Sequence, residues 1–360
     1  MKNIMTIKEF FRGFVFLIIG FFLLVYLNNV FTLADSNESR QIFNGMYAEK
    51  DNTLDGVYIG ASSVNRFFAA PYAFNQAGVA VYSLGIASEP FVYNRYIMEE
   101  VLKTQKPKFF LIEMRWFNRT EDYVTETHIR NVSDSMRFLS WNRIQGINAV
   151  LDYYEKGEND LDYEKINYYF PIVKYHNRWQ ADDFYKEDIL LARTTRDTKG
   201  FLMTDTNTFK QVNEVLLPGY TEEIAPLTEV TQECLDDFLD YCDSIPADVV
   251  FTLSPFPVIE DDMKHLNQAI KTVSDRGYLF VNCCTEEAAN DMGIDWKNDF
   301  YDEKHVNIQG AEKFTSYIVK HLQEYYDLED HRGDPAYKSW EDSYDAYVEF
   351  SAEERKKMDQ

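Results

Sequence analysis

Read for the spacing of apolar and polar positions, the chain opens on one long unbroken apolar stretch. It is "FVFLIIGFFLLVYLNNVFTLA", and from Phe10 to Ala34 only Arg12, Asn28, Asn29 and a few small residues interrupt it. A helix needs about 20 such residues to cross the hydrocarbon core of a bilayer. Residues 1–34 therefore read as a cytoplasmic tip and a transmembrane signal anchor. Lys2, Lys8 and Arg12 lie in front, while Asp35 and Glu38 follow. That asymmetry puts the N-terminus in the cytoplasm and the remainder outside the cell membrane, as a single-pass protein. A cleaved signal peptide is the competing reading, but its apolar centre would be long and no clear small-x-small site precedes Ala34.

Residues 35–54 form a polar juxtamembrane segment. Short runs rich in β-branched and aromatic residues follow: "GVYIGAS", "VAVYSLG", "PKFFLIEMR", "ADVVFTLSPF" and "YLFVNC". Several are apolar continuously rather than alternately, which fits strands covered on both faces. Between them the period changes to that of helices. "PFVYNRYIMEEVLKTQ" is closed by Lys-Pro, and in "DDMKHLNQAIKTVSDRG" Met263, Leu266, Ile270 and Val273 share one face before Gly277. Strands alternating with helices predict an α/β fold, a three-layer doubly wound sheet of about five parallel strands. The domain runs over 55–326, with a mainly helical insertion at about 117–247. A polar, acidic tail, 327–360, either packs on the domain or stays mobile and carries no assigned chemistry.

The charge balance narrows the partners. Acidic residues number 60 against 36 basic ones, a formal charge of -24, and no basic cluster offsets it. A field of that sign repels nucleic acid. The four cysteines show neither Cys-x-x-Cys nor a Cys/His spacing, so no metal is expected. Cys234 and Cys242 stand about 12 Å apart on one helix, too far for a disulfide. Buried free thiols are the expectation, with a link from Cys242 to Cys283 or Cys284 left open.

In open parallel sheets, ligands bind beyond the carboxyl ends of the strands. "VYIGASSVNRFF" delivers Gly60-Ala61-Ser62-Ser63 at that point of the first strand. Serine is common in turns, so the stretch taken alone is a polar turn. Of the six histidines, His305 lies in "NDFYDEKHVNIQGAEKFTSYIVKHL", three residues after Asp302 and just before a helix that Asn307 can cap. Phe314, Ile318 and Leu322 share that helix's apolar face. A carboxylate there can fix one ring nitrogen and leave the other to take a proton from a serine. The alternative is a surface loop in an acidic chain.

Together these elements resemble the SGNH (GDSL-type) hydrolase superfamily, which places Gly-Asp-Ser after strand one and Asp-x-x-His near the end. The chain is most similar to its membrane-anchored branch in Gram-positive bacteria, akin to D-alanyl-transfer and alginate-acetylation proteins. The resemblance runs through "VYIGASSVNRFF", "GVAVYSLGIASEP", "VLKTQKPKFFLIEMR" and "DEKHVNIQGAEKFTSYI", roughly residues 55–115 and 248–322. It implies an SGNH-hydrolase or flavodoxin-like sheet, Ser62 as nucleophile, His305 as base and Asp302 as its orienting carboxylate. It also implies that the N–H groups of Ser62 and Gly85 hold an oxyanion. Ala61 stands where the family has aspartate. The family's third block, Gly-x-Asn-Asp, is absent, and Glu113-Met114-Arg115-Trp116 occupies its place. Arg115 or Asn118 is then the substitute donor. Within the insertion, His176, Arg178 and Trp179 fall among aromatics, where ring and guanidinium can grip a sugar or an anion. A packing turn with Trp179 in the core is the alternative. The expected function is an extracytoplasmic serine acyl transferase or esterase acting, without a cofactor, on a cell-envelope glycan or anionic polymer. A multispanning membrane acyltransferase is the expected donor partner. A non-catalytic envelope scaffold on the same fold is the alternative.

Overall fold

A computed structural model describes residues 6–33, 36–118, 125–156, 164–180, 198–202 and 217–358. Lys2 and the expected end of the anchor at Ala34 and Asp35 lie outside the described residues. Helix α1 (Ile7–Val30) begins at a capping box between Thr6 and Glu9. It is long and apolar enough to cross a membrane, and the rest of the protein leaves its apolar stretch uncovered. The juxtamembrane segment, read from its sequence only as polar, forms α2 (Asn37–Ala48). Its Ile42, Phe43 and Met46 make one apolar stripe and enter the core.

Five strands form a parallel sheet: β1 (Gly56–Gly60), β2 (Val81–Gly85), β3 (Phe109–Glu113), β4 (Asp248–Leu253) and β5 (Leu279–Asn282). Their order is β2-β1-β3-β4-β5. Every residue of β1, β2 and β3 is buried, which explains why these strands read as unbroken apolar runs. The chain leaves β1 toward β2, then returns across it to β3. Beyond β1 it forms α3 (Ser62–Phe67) and α4 (Ala70–Ala77), two short helices that the apolar spacing did not announce. A 3-10 turn and α5 (Asn94–Val101) precede β3.

The insertion holds α6 (Glu126–Ser133), α7 (Trp141–Lys156), α8 (Lys165–Tyr169), α9 (Pro171–Tyr175) and α10 (Glu229–Cys242). A 3-10 turn, His176–Gln180, follows α9. After β4 come α11 (Glu260–Asp275), α12 (Glu286–Met292) and α13 (Ile308–Tyr325). Asn307 caps α13 by accepting from the N–H groups of Gln309 and Gly310 at 3.0 and 3.2 Å. All four cysteines are free thiols.

The acidic tail packs. Helix α14 (Lys338–Met358) lies against α4, with the Trp340 ring 5.5 Å from Phe74 and Tyr347 6.0 Å from Tyr72. Trp340, Tyr344 and Tyr347 are the recurring stripe that looked like scattered aromatics in the sequence.

One contact matters most for the site. Phe314 of α13 meets Phe67 of α3 edge-on at 5.6 Å, and both rings are fully buried. The hydroxyl of Thr315 accepts from Ala69 N–H at 2.8 Å and donates to Phe67 O at 3.2 Å. Removing the ring leaves a cavity between two helices, so Phe314→Ala should cost about 3–5 kcal/mol. Urea unfolding of the variant checks this through a lowered midpoint at unchanged slope.

Candidate active site

The hydroxyl-bearing turn is built by backbone constraint. Gly60 ends β1 at φ +152°, and a Cβ placed there would sit 2.6 Å from Glu113 Cβ. Only glycine fits. The chain then turns into α3 with Ala61 as its N-cap and no side-chain cap. The first-turn N–H groups of Ser62 and Ser63 have no carbonyl of the same helix to pair with.

The histidine loop is pinched shut from both sides. Phe300 and Val306 form a β-bridge, and Asn307 N–H donates to Asp299 O at 2.7 Å. Inside it, Asp302 Oδ1 accepts from the N–H groups of Lys304 and His305 at 2.7 and 2.8 Å. The same carboxylate receives His305 Nδ1–H, with Oδ2 at 2.9 Å and Oδ1 at 3.1 Å. That bond leaves Nε2 as an acceptor, and the Ser62 hydroxyl lies 2.8 Å from it. Tyr301 stacks on the imidazole, centroids 5.6 Å apart and nearly parallel.

The electrostatics suit a base. Desolvation lowers the His305 pKa from the ordinary 6.5, and Arg115 and Arg66 push the same way, while the Asp302 bond only partly offsets them. Burial disfavours the Asp302 charge, yet hydrogen bonds from His305 and the loop N–H groups outweigh it and hold the carboxyl below its usual range. At neutral pH the pair is a neutral imidazole beside a carboxylate.

Ser62 and His305 open on a cleft of about 700 Å³. Its walls include Ser88, Glu89, Trp116, Asn118, Phe256, Val258 and Lys304. Asn118 therefore stands where a substrate can meet it. Arg115 also lines the cleft, but its guanidinium is engaged with the protein. Nη1 donates to Lys304 O at 2.7 Å, and Nη2 donates to Ser254 Oγ at 2.7 Å and to Pro255 O at 3.2 Å. The group is sandwiched between Phe67 and Phe256, 4.8 and 4.3 Å from their centroids. Arg115 is thus a strut between the ends of β3 and β4 and the histidine loop, rather than the free donor its position in the sequence suggests.

Two other expected participants fall elsewhere. Gly85 packs beneath the first turn of α3, where a Cβ would stand 2.4 Å from Asn65 N. Its neighbour Ile86 donates toward β1, to Gly60 O, and Ser83 donates outward to Lys199 O. N–H directions alternate along a strand, so the Gly85 N–H faces the outer sheet edge. Ser88 and Glu89, not Gly85, border the cleft. His176, Arg178 and Trp179 do not line it either. Arg178 Nη1 donates to Thr32 O at the end of α1, 3.0 Å away, and Trp179 is 60% exposed rather than core.

No family model, curated protein or solved structure matches this chain. The site therefore rests on its own geometry. Among the described residues, no group of His, Cys, Asp and Glu side chains is arranged to hold a metal ion.

The sequence reading missed Glu89. It is 2% exposed, and neither carboxyl oxygen has a hydrogen-bond partner. Ser63 Oγ and Asn94 Oδ1 are equally unpaired. All three border a side chamber of about 20 Å³ behind the Ser62 turn, closed by Phe91 and Trp116. Burial alone pushes the Glu89 pKa well above its ordinary value, so the neutral acid is the stable form. The signal available in the sequence was a single acidic residue within the apolar run "GIASEPFVY".

A raised carboxyl pKa weakens folding as the unfolded chain ionises, from about pH 4.3 upward. Glu89→Gln removes that ionisation. Its thermal midpoint relative to the parent should therefore rise as pH increases from 4 to 8, which scanning calorimetry at several pH values reads directly.

Proposed function

We propose that this protein is a serine-dependent acyl transferase or esterase of the SGNH type. The observation that carries the reading is the continuous chain Ser62 Oγ to His305 Nε2, and His305 Nδ1 to Asp302, across 243 positions of sequence. The parallel sheet, read as doubly wound with its helices in two outer layers, supports the same assignment. Ser62 gives its proton to His305 and attacks an ester carbonyl, forming an acyl-enzyme. The N–H groups of Ser62 and Ser63, uncapped at the start of α3, are the donors best placed to receive the oxyanion. The imidazolium returns its proton to the leaving alcohol. Water or a sugar hydroxyl, deprotonated by the same His305, then releases the acyl group.

The substrate class follows from the cleft and the anchor. Phe256, Val258 and Trp116 suit an acyl chain, while Asn118, Lys304 and the open mouth suit a polyhydroxylated acceptor. With α1 crossing the membrane and the domain outside it, O-acyl groups of a cell-envelope polysaccharide or anionic polymer are within reach. Tethering raises the local concentration of a membrane-bound acyl donor, such as a multispanning acyltransferase would supply.

A fluorophosphonate should label the parent protein and leave Ser62→Ala unlabelled. Folded parent protein that resists labelling would move the reading to a non-catalytic envelope scaffold. On model esters, loss of one triad member should lower kcat by about 10⁴-fold or more. The acidic limb of kcat/KM should have its midpoint below 6.5, the ordinary histidine value, because His305 must be neutral to act and its pKa is lowered. A midpoint above 6.5 would contradict the desolvated imidazole.

A further inference from the structure

The segment that left the active-site cleft has a position of its own. Residues Ile7–Leu24 of α1 are exposed, partial covering by the domain begins at Val25 with Tyr26 still exposed, and Asn28 is the first buried residue. Eighteen exposed helical residues span roughly 27 Å, close to the thickness of a bilayer's hydrocarbon core. The apolar boundary then falls near Leu24. Asn28 stands about 6 Å further along the helix axis, within the headgroup layer.

At that level the insertion grips the helix. Asn28 Oδ1 accepts from Ile172 N–H at 3.2 Å, and Thr32 O accepts from Arg178 at 3.0 Å. Arg40 donates to Asn29 O at 3.0 Å and fixes the same turn from α2. Helix α9 and the 3-10 turn after it are therefore held rigidly beside the exit of α1. Yet Val173 is 45% exposed and Trp179 60% exposed among the described residues. Tryptophan is enriched at membrane interfaces because its ring is apolar with one polar edge.

We propose that α9 and the His176–Gln180 turn form an interfacial seat, in which Val173 and Trp179 enter the headgroup region of the bilayer that α1 crosses. The seat rests on the reading of α1 as a membrane span and is independent of any catalytic role. It fixes the tilt and height of the α/β domain, and with them the distance of the Ser62 cleft from the lipid surface. A single helix alone would leave the domain free to swivel on its stalk.

The test uses the full chain reconstituted in phosphatidylcholine–phosphatidylglycerol vesicles that carry nitroxide lipids labelled at shallow or deep positions. Shallow labels should quench the tryptophan emission, and Trp179→Phe should remove most of that quenching, while Trp296→Phe removes none. Val173→Asp, an exposed substitution, should shift Trp179 emission to the red at unchanged thermal midpoint. Shallow quenching that is identical in the parent and Trp179→Phe overturns the seat while the anchor stands. Protein that fails to float with the vesicles overturns the anchor and the seat together.

Discussion

The packing of α13 on α3 is the constraint from which the rest of the site follows. Both helices begin at the same end of the sheet, one at Ser62 itself and the other directly after the histidine loop. Phe67 against Phe314, with Thr315 bridging Phe67 and Ala69, locks their relative position. Such a contact between segments far apart in the chain is costly in loop-closure entropy and must be repaid by burial. Two fully buried rings and a satisfied hydroxyl are a sufficient source. Once the helices are locked, each needs only a short, self-braced turn to bring its functional group to the meeting point. Gly60 supplies one turn, and the Asp302 carboxylate supplies the other.

Legibility in the sequence followed the range of the interaction. All five strands could be read, because burial on both faces makes an unbroken apolar run. The Asn307 cap and the Asp302–His305 turn could be read as well, since their partners lie within three residues. Gly85 was misplaced for a reason of register: the motif finds the residue, but the direction of its N–H depends on which neighbour pairs with β1. Arg115 reads as a substrate donor until the residues after β4 and the histidine loop fold over it and engage both of its Nη atoms. For His176, Arg178 and Trp179, aromatic neighbours were legible but location was not. Arg178's acceptor, Thr32 O, lies 146 positions earlier. Packing of the tail stayed open and α2 read only as polar, because a helix that buries one narrow stripe looks polar on average.

The end of β3, where the resemblance would expect the family's third block, is occupied differently. Glu113 occupies the end of β3 and accepts from Tyr58 OH at 2.7 Å, from Ser254 N–H at 3.2 Å and from Arg115 N–H at 3.2 Å. Burial raises its pKa, while Arg115, Tyr58 and Ser254 draw it back. A side chain with three protein donors is a brace, not a ligand for substrate. With Arg115 it forms a pair that ties β1, β3, β4 and the histidine loop beneath the cleft. On the proposed SGNH-type reading, a brace stands where that family carries an oxyanion donor.

Under the proposed acyl-transfer reading, that brace leaves oxyanion stabilisation to the backbone at the start of α3. One missing side-chain donor is worth about 10²–10³ in rate, a loss that an enzyme tolerates when its substrate is a reactive ester held nearby. Free water would compete with any acceptor, so a transferase of the proposed kind would gain more from fixed placement than from raw turnover. A cleft braced by Glu113 and Arg115 is consistent with that balance, and the proposed interfacial seat would add to it.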